Sequence, residues 1–413
     1  MYSKILGQVH NSKQKTVHFF VDNLSTSFVK NELLNLSQFF SKVNVYVLQV
    51  PQGDVFPVNI NIHKVVLPQG KSSLLGKHFF SIMYLFTLEF FKYPAYIFNM
   101  ALLRMQFSVL VKSFSVFNYL KSNSAVSKDD VFYSFWMNDW AITLSILKKK
   151  GVIKAFSSRV HGADLFEERV PKIGRLPFRW FVLKNIDQVF SVSKTGLEYL
   201  KGKYPIHAPK FSCFYLGTAD HGINFFDNTS IFTVVSCAHV RNIKRVYLIA
   251  EYLKEINFPL KWIHIGAEQK YDKTYPRYLK AIEDLKNKNN IKVELLGDLS
   301  QEKVFDLYSS VSINLFLSLS STEGLPVSMM EAISFGIPLL ATDVGGCKEI
   351  ANKETGKLLN SDVSVEEFAK SIEEFKNSEM NSNTFRICVR KFWEENFNDQ
   401  INYSKFFEAI SLA

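Results

Sequence analysis

The stretch Glu323-Gly-Leu-Pro-Val-Ser-Met-Met-Glu331 sets two carboxylates eight positions apart, with Gly324 and Pro326 just behind the first. The run before it, Ser312 to Leu319, is apolar and reads as a buried strand. Pro326 has a fixed φ suited to a first helical position, Glu331 falls inside a short helix, and Gly336 followed by Pro338 ends it. The unit is therefore strand, tight loop, helix N-terminus. The amides of Val327 and Ser328 would point outward there with the positive end of the helix dipole, a seat for a phosphate. One carboxylate lies on the loop and the other inside the helix. A ligand with phosphates in the middle and hydroxyls at both ends fits, and a sugar nucleotide is such a ligand.

Working outward, the chain alternates strands and helices in both halves. Strand-like runs at Val17 to Val21 and Val45 to Val50 flank a helical pattern, Phe28 to Phe40. Val131 to Phe135 alternates, Ala141 to Lys150 is a lysine-ended helix, and Ile153 to Phe156 and Gln188 to Val192 read as strands. The rhythm resumes at Phe232. Alternation of this kind implies parallel pairing with right-handed crossovers, and ligands at the carboxyl ends of the strands. The expected fold class is α/β, with two facing Rossmann-like domains. Their expected limits are 1–205 for the first, 206–230 for a Pro- and Gly-containing linker, 231–384 for the second, and 385–413 for an aromatic helix. That helix has Trp393, Phe397, Tyr403 and Phe406 to bury.

At 413 residues and 47% hydrophobic composition the chain is too long for one core and amply able to bury two. Charge is uneven: residues 1–210 hold 27 Lys and Arg against 12 Asp and Glu, a net of +15, and the remainder is net −5. Such a field attracts anionic partners without defining them. Nucleic acid is not expected, because the aromatic residues sit in apolar runs and no nucleic-acid motif occurs. The four cysteines, at 213, 237, 347 and 388, form no metal-ligand pairs. They fit a reducing compartment, and Met1 to Lys15 lacks the apolar core of a secretory leader, so a cytoplasmic location is expected. Phe79 to Phe114 is rich in Phe, Tyr, Leu and Met but is interrupted by Glu89, Lys92, Pro94, Arg104 and Lys112. No uncharged run in it reaches the roughly 20 residues of a spanning helix. Two readings stay open: helices covering the first sheet, or amphipathic helices lying on a bilayer.

Further landmarks accompany the glutamates. Val234-Val-Ser-Cys-Ala-His-Val-Arg-Asn-Ile-Lys244-Arg-Val, Ile263-His-Ile-Gly266, Val293-Glu-Leu-Leu-Gly297 and Gly336-Ile-Pro-Leu-Leu-Ala-Thr-Asp-Val-Gly-Gly346, then Glu349 and Gly356, follow in order. With them the sequence resembles glycosyltransferase family 4, the retaining nucleotide-sugar glycosyltransferases of GT-B fold, which implies that the C-terminal helix, 385–413, crosses back and packs on the first domain. Ser158-Arg-Val-His161-Gly-Ala-Asp-Leu-Phe-Glu-Glu-Arg169 resembles the stretch carrying the family's interdomain histidine. Ser27-Phe-Val-Lys-Asn-Glu-Leu33 resembles a first-helix pattern of members that build surface polysaccharides. Where many relatives have a glycine-rich loop after the first strand, this chain reads Asn23-Leu-Ser-Thr-Ser27. Relatives commonly have arginine at the position of His239.

The resemblance implies Lys244 as the phosphate-binding lysine, with His239 and Arg245 beside it, against the plain alternative of solvated surface side chains. It implies Glu331 on the ribose hydroxyls, Glu323 on the donor sugar with the Gly324 and Leu325 amides, and base contacts around Gly297 to Leu299. Leu299 and Gly297 thus join the donor-binding set with Val327 and Ser328. His161 is implied near the sugar and the attacking hydroxyl, with Asp164 and Arg169 orienting it; a histidine packed in its loop is the alternative. Ser25, Thr26 and Ser27 are the acceptor-binding candidates. The departing pyrophosphate needs positive charge, and no Asp-x-Asp metal motif occurs in the chain. No metal and no cofactor are therefore expected, and Lys244 and the helix amides are left to stabilise the leaving group. The catalytic candidates are His161, Glu323 and Lys244.

The expected activity is retaining hexosyl transfer from a nucleotide sugar to a lipid-linked or oligosaccharide acceptor, in capsule, exopolysaccharide or O-antigen assembly. The expected partners include the cytoplasmic membrane surface, with the protein peripheral on its inner face. A catalytically silent GT-B module that binds a nucleotide or serves as a scaffold is the competing class.

Overall fold

The computed structural model describes residues 15–50, 55–65, 71–94, 99–123, 126–169, 176–225, 227 and 231–412. The polar start, Met1 to Lys15, read above for the lack of a leader, lies outside them apart from Lys15. The described chain divides into two compact units: one runs through Val192 with Gly196–Phe214 and the chain end from Tyr403, the other holds Ser193–Thr195 and Tyr215–Asn402.

Along the first part follow β1 (Thr16–Phe20), α1 (Ser27–Phe39), β2 (Lys42–Val47), β3 (Ile60–Lys64), α2 (Lys71–Lys92), α3 (Met100–Asn123), β4 (Val131–Ser134), α4 (Asp139–Lys149), β5 (Ser157–Val160), α5 (Arg179–Asn185), β6 (Gln188–Ser191), α6 (Lys194–Lys203) and β7 (Phe211–Cys213). The seven strands pair in the order β3-β2-β1-β4-β5-β6-β7, all parallel. Strands covered on both faces must be apolar on both, which is why β1 reads Val-His-Phe-Phe without alternation. The polar His18 within that run is buried between the Tyr46 hydroxyl at 3.0 Å and Asp130 at 2.9 Å.

The second part runs β8 (Phe232–Cys237), α7 (Val246–Leu253), β9 (Leu260–Ile265), α8 (Tyr275–Lys286), β10 (Ile291–Leu295), α9 (Gln301–Ser310), β11 (Leu315–Ser318), α10 (Val327–Ser334), β12 (Leu339–Thr342), α11 (Cys347–Ile350), β13 (Gly356–Leu359), α12 (Val365–Lys376), α13 (Asn383–Asn396) and α14 (Asp399–Leu412). Its six strands pair in the order β10-β9-β8-β11-β12-β13, again all parallel. In each sheet the order reverses once, between β1 and β4 and between β8 and β11. Loops leaving adjacent strands in opposite directions open a crevice at these switch points.

The domain limits differ from the expected ones in two places. Residues 206–230 are not simply a linker: Pro205–Lys210 form a 3-10 turn and Phe211–Cys213 pair with β6 as the seventh strand. Nor is 385–413 one helix belonging to the first unit. The chain at Phe397 to Asp399 pairs with Thr218 in an isolated bridge, Thr218 N–H to Phe397 O at 2.9 Å, which stops α13 before α14 begins. Gly217 permits that approach, since a Cβ there would lie 2.2 Å from Asp399 Cα. α13 buries Val389 and Trp393 in the second unit, whereas Tyr403, Phe406, Phe407 and Ile410 of α14 join the core of the first with β1, β2 and α1.

A buried ion pair fastens that last segment within the first unit. Arg159 on β5 and Glu32 on α1 bond directly, both fully buried, and Tyr133 donates to Glu32. The Arg159 guanidinium lies 3.9 Å over the Phe406 ring. On the sheet's other face α2 and α3 pack with α4 and α5. α3 is, by length and composition alone, apolar enough over Met100–Ser122 to cross a membrane. Its Leu102, Leu110, Phe114, Phe117 and Leu120 are buried in the unit.

Candidate functional site

The loops after β8 and β11, on either side of the second sheet's switch point, are laced together. Ser321 N–H donates to Ile243 O at 2.8 Å. Arg245, left-handed at φ 49°, gives its guanidinium to the carbonyls of Leu319, Ser320 (2.9 Å) and Ser361 (2.7 Å). The sequence expectation that Arg245 stands with the phosphate ligands is corrected here. Three of its N–H groups terminate the end of β11 and the loop beyond β13, so it is a brace.

That brace aims the residue before it. Lys244 Nζ lies 2.6 Å from Glu323 Oε1, with the Lys244 side chain 27% exposed and that of Glu323 10%. One of the three ammonium donors is used on Glu323, and two remain. The Glu323 loop is held from below by the loop after β12. Gly345, at φ 56°, sits so close that a Cβ would lie 2.0 Å from Glu323 O, and Gly346 N–H donates to Gly324 O at 2.9 Å. The Val-Gly-Gly landmark is thus a support for the glutamate.

α10 begins one residue later than expected. Pro326, at φ −73° and ψ 110°, is its N-cap, because the extended ψ keeps it outside the helix, and Val327 is the first helical residue. Pro326 O accepts from Met329 and Met330, while the Val327 and Ser328 amides have no partner among the described residues. Glu331 follows within the helix, 7% exposed, and accepts from Gln301 Nε2 at 2.8 Å. Burial pushes its carboxyl up to about 7, with the Gln301 hydrogen bond pulling the other way. Gln301 opens α9 just past Gly297 and Leu299. Gly297 is left-handed at φ 67°, and its carbonyl accepts from Gly266 N–H at 2.7 Å, which ties the β9 and β10 turns together. Leu299 is half-buried and His239 is exposed on the β8 turn. Burial pushes the Cys237 thiol up to about 12, with Glu331 adding to it.

In the first unit, His161 leaves the end of β5 and stacks on Phe135 at 4.5 Å, with Phe28 and Trp136 tilted against it. Asp164 accepts from the His161 amide at 2.9 Å and the Met137 amide at 3.0 Å, while its carboxylate stands 4.0 Å from His161 Nδ1. Burial alone would raise the Asp164 carboxyl. The charge and hydrogen bonding of His161 and the Met137 amide outweigh it, and it ends below its ordinary value. Both ring nitrogens of His161 are buried and lack a hydrogen-bond partner. Arg169 does not orient His161; its guanidinium lies 4.0 Å over the Phe166 ring. After β1, Asn23 Oδ1 accepts from the Ser25 amide and hydroxyl, Thr26 is the N-cap of α1, and Ser27 is its first residue. Sequence reading passed over Asp22, which accepts from Trp140 Nε1 at 2.9 Å and Asn138 Nδ2 at 3.0 Å, and over Gln301. A charge run or motif marks neither residue. Among the described residues no three His, Cys, Asp or Glu converge as metal ligands would.

Residues 223–391 match the family model described as Glycosyl transferases group 1. Among solved structures, the chain aligns with the lipopolysaccharide outer core galactosyltransferase WaaB in its apo form at TM-score 0.66 and 14% identity, covering 96% of this chain and 99% of that one. It aligns with Anabaena HepE in complex with UDP-glucose at TM-score 0.68 and 13% identity, covering 97% and 100%. It also aligns with WaaG, a glycosyltransferase of lipopolysaccharide biosynthesis, at TM-score 0.64 and 12% identity, covering 95% and 99%. The fold is GT-B. No curated protein matches by sequence. In GT-B terms the second sheet, with Lys244, Glu323 and Glu331 around its switch point, is the part covered by the group 1 domain.

Proposed function

We propose that this GT-B chain transfers a sugar, with retention and without a metal, from a nucleotide-sugar donor to a lipid-linked oligosaccharide in surface-polysaccharide assembly. The observation that carries the reading is the convergence of Lys244, Glu323, Glu331 and the two unpartnered amides of α10 at one switch point. Each has a role the donor's chemistry requires. The two remaining Lys244 donors and the Val327 and Ser328 amides meet the diphosphate, whose leaving oxygen gains charge as the glycosidic bond breaks. Glu331 offers two acceptor oxygens to the ribose hydroxyls. Glu323 takes hydroxyls of the sugar, with Gly324 and Leu325 supplying amides. His161, whose ring nitrogens are unpartnered, serves the sugar and the acceptor hydroxyl, and Ser25 to Ser27 the acceptor. The leaving phosphate accepts the acceptor's proton, which keeps both bonds on one face of the sugar. The basic first half suits an acceptor bearing pyrophosphate at a membrane surface.

A thermal-shift panel of UDP, GDP, ADP and CMP, run in chelator, tests this. A selective ligand at about 100 times its Kd adds roughly 2.7 kcal/mol of stability. One nucleoside diphosphate is expected to do so, with UDP first in line since HepE is recorded with it, and Lys244→Ala is expected to abolish the gain. A shift that requires magnesium or manganese overturns the metal-free mechanism. Binding without any donor consumption turns the reading to a silent module.

A further inference from the structure

The outward face of α2 is apolar where a soluble helix would be polar. Ile82, Leu85 and Glu89 point into the unit, and on the opposite side Phe80, Tyr84 and Phe91 recur at helical spacing. Phe80 is 86% exposed, Tyr84 54% and Phe91 74%, with Met100 of α3 at 61%. A scattered exposed apolar residue is ordinary, but a stripe of aromatic ones along one helix face is an interaction surface. Beneath it lies a pocket of about 290 Å³ lined by Phe80, Tyr84, Leu85, Phe114, Ile146 and Phe181, with Lys149 and Lys150 as its charged members.

Along α2 and α3 the sequence is strongly basic. Residues 71–123 contain six Lys and Arg and a single acid, Glu89, and that acid is fully buried and taken up by the Phe178 amide and the Trp180 indole. Lys149 Nζ lies 4.9 Å over the Tyr84 ring, and Lys92 Nζ lies 5.7 Å over the Trp180 ring. A lysine poised over the exposed Tyr84 ring, with Lys150 beside it, matches the boundary of an anionic bilayer, where rings sit among the headgroups and ammonium groups meet phosphates. A second copy of the chain is a poor occupant, because a two-fold contact would set the same lysine-rimmed face against itself.

We propose that this face of α2, with the lysines at the end of α4, docks on an anionic lipid bilayer, and that the pocket takes the chain of one lipid. This deepens the membrane-surface acceptor proposed above without resting on sugar transfer, because the test reads lipid and not nucleotide. The full chain is sedimented with vesicles of phosphatidylcholine alone or of equimolar phosphatidylcholine and phosphatidylglycerol. Binding is expected only to the second and is expected to weaken with salt. Phe80→Ser with Phe91→Ser should lower partitioning by about tenfold or more. Lys149→Gln with Lys150→Gln should lower it roughly fivefold per lysine. All four residues are exposed, so an unchanged thermal transition verifies that each variant is folded. Tyr84→Trp should be quenched by a brominated lipid chain. Equal binding to neutral vesicles, variants that partition like the wild type, or a dimer dispersed by Phe80→Asp would each overturn the proposal. A failed nucleotide shift with intact vesicle binding would count against the transferase reading alone.

Discussion

Replacing Glu331 with glutamine should stabilise the ligand-free protein, and more so as the pH rises. The carboxyl titrates near 7 in the fold against an ordinary 4.5, because burial disfavours its charged form. At 1.36 kcal/mol per unit, ionising it in place costs about 3 kcal/mol. The sign follows from proton counting. Between 4.5 and 7 the native state holds a proton that the unfolded chain has released, so stability falls as pH rises through that window and stays low above it. Glutamine is neutral throughout and can still accept from Gln301 Nε2. At pH 9 Glu331→Gln should therefore gain about 3 kcal/mol, and at pH 5 less than about 1 kcal/mol. In a unit the size of the second one, melting on its own, the larger gain is a rise in Tm of roughly 6 to 12 °C. Scanning calorimetry of both proteins across pH 5 to 9 reads the difference directly. A gain independent of pH, or a loss at pH 9, would refute the argument from burial. On the proposed reading the ribose hydroxyls donate to the carboxylate, so nucleotide binding should tighten through pH 7 with proton release, and the glutamine variant should lose that dependence.

Gly345→Ala forces a Cβ against Glu323 O from a left-handed backbone, so a loss of about 1–3 kcal/mol and weaker nucleotide binding are expected by denaturant titration and calorimetry. Arg245→Lys keeps the charge but loses the fork that serves three carbonyls; about 2–4 kcal/mol of stability should go, and a melt equal to wild type would deny the brace. Glu32→Gln leaves Arg159 charged and buried, and urea unfolding should show a loss of about 3–5 kcal/mol with no change in nucleotide affinity. Glu323→Gln removes the carboxylate that holds Lys244, so nucleoside diphosphate should bind roughly tenfold tighter while transfer collapses; weaker binding would refute the competition.

The alternation of apolar strands with helices was legible because parallel strands covered on both faces have no polar side to hide. Glu323 and Glu331 were legible for another reason: glycine and proline around them fix a tight turn before a helix, and few turns need both. What escaped the sequence depends on contacts between distant segments. Arg245 has the charge of a phosphate ligand, and only its left-handed backbone sends it back to the β11 carbonyls. The break at Phe397 is invisible in a helical pattern, because Thr218, far away in the chain, interrupts it. Ile60 to Lys64, an edge strand, carries too little apolar character to read as one. Glu32 and Arg159 look like surface charges until folding buries them together.

The Lys244–Glu323 pair gives the candidate site a property that neither residue has alone. The ammonium and the carboxylate each supply the opposite charge that the other faces. In the ligand-free chain the two are held together at 2.6 Å. A diphosphate brings more negative charge than one carboxylate and so competes for the same ammonium. On the proposed mechanism, each step of Lys244 toward phosphate loosens its hold on Glu323, and the carboxylate gains freedom for the sugar as the leaving group gains its cation. Binding the donor and readying the glutamate are then one rearrangement, which is why removing the carboxylate should tighten the product nucleotide and abolish transfer together.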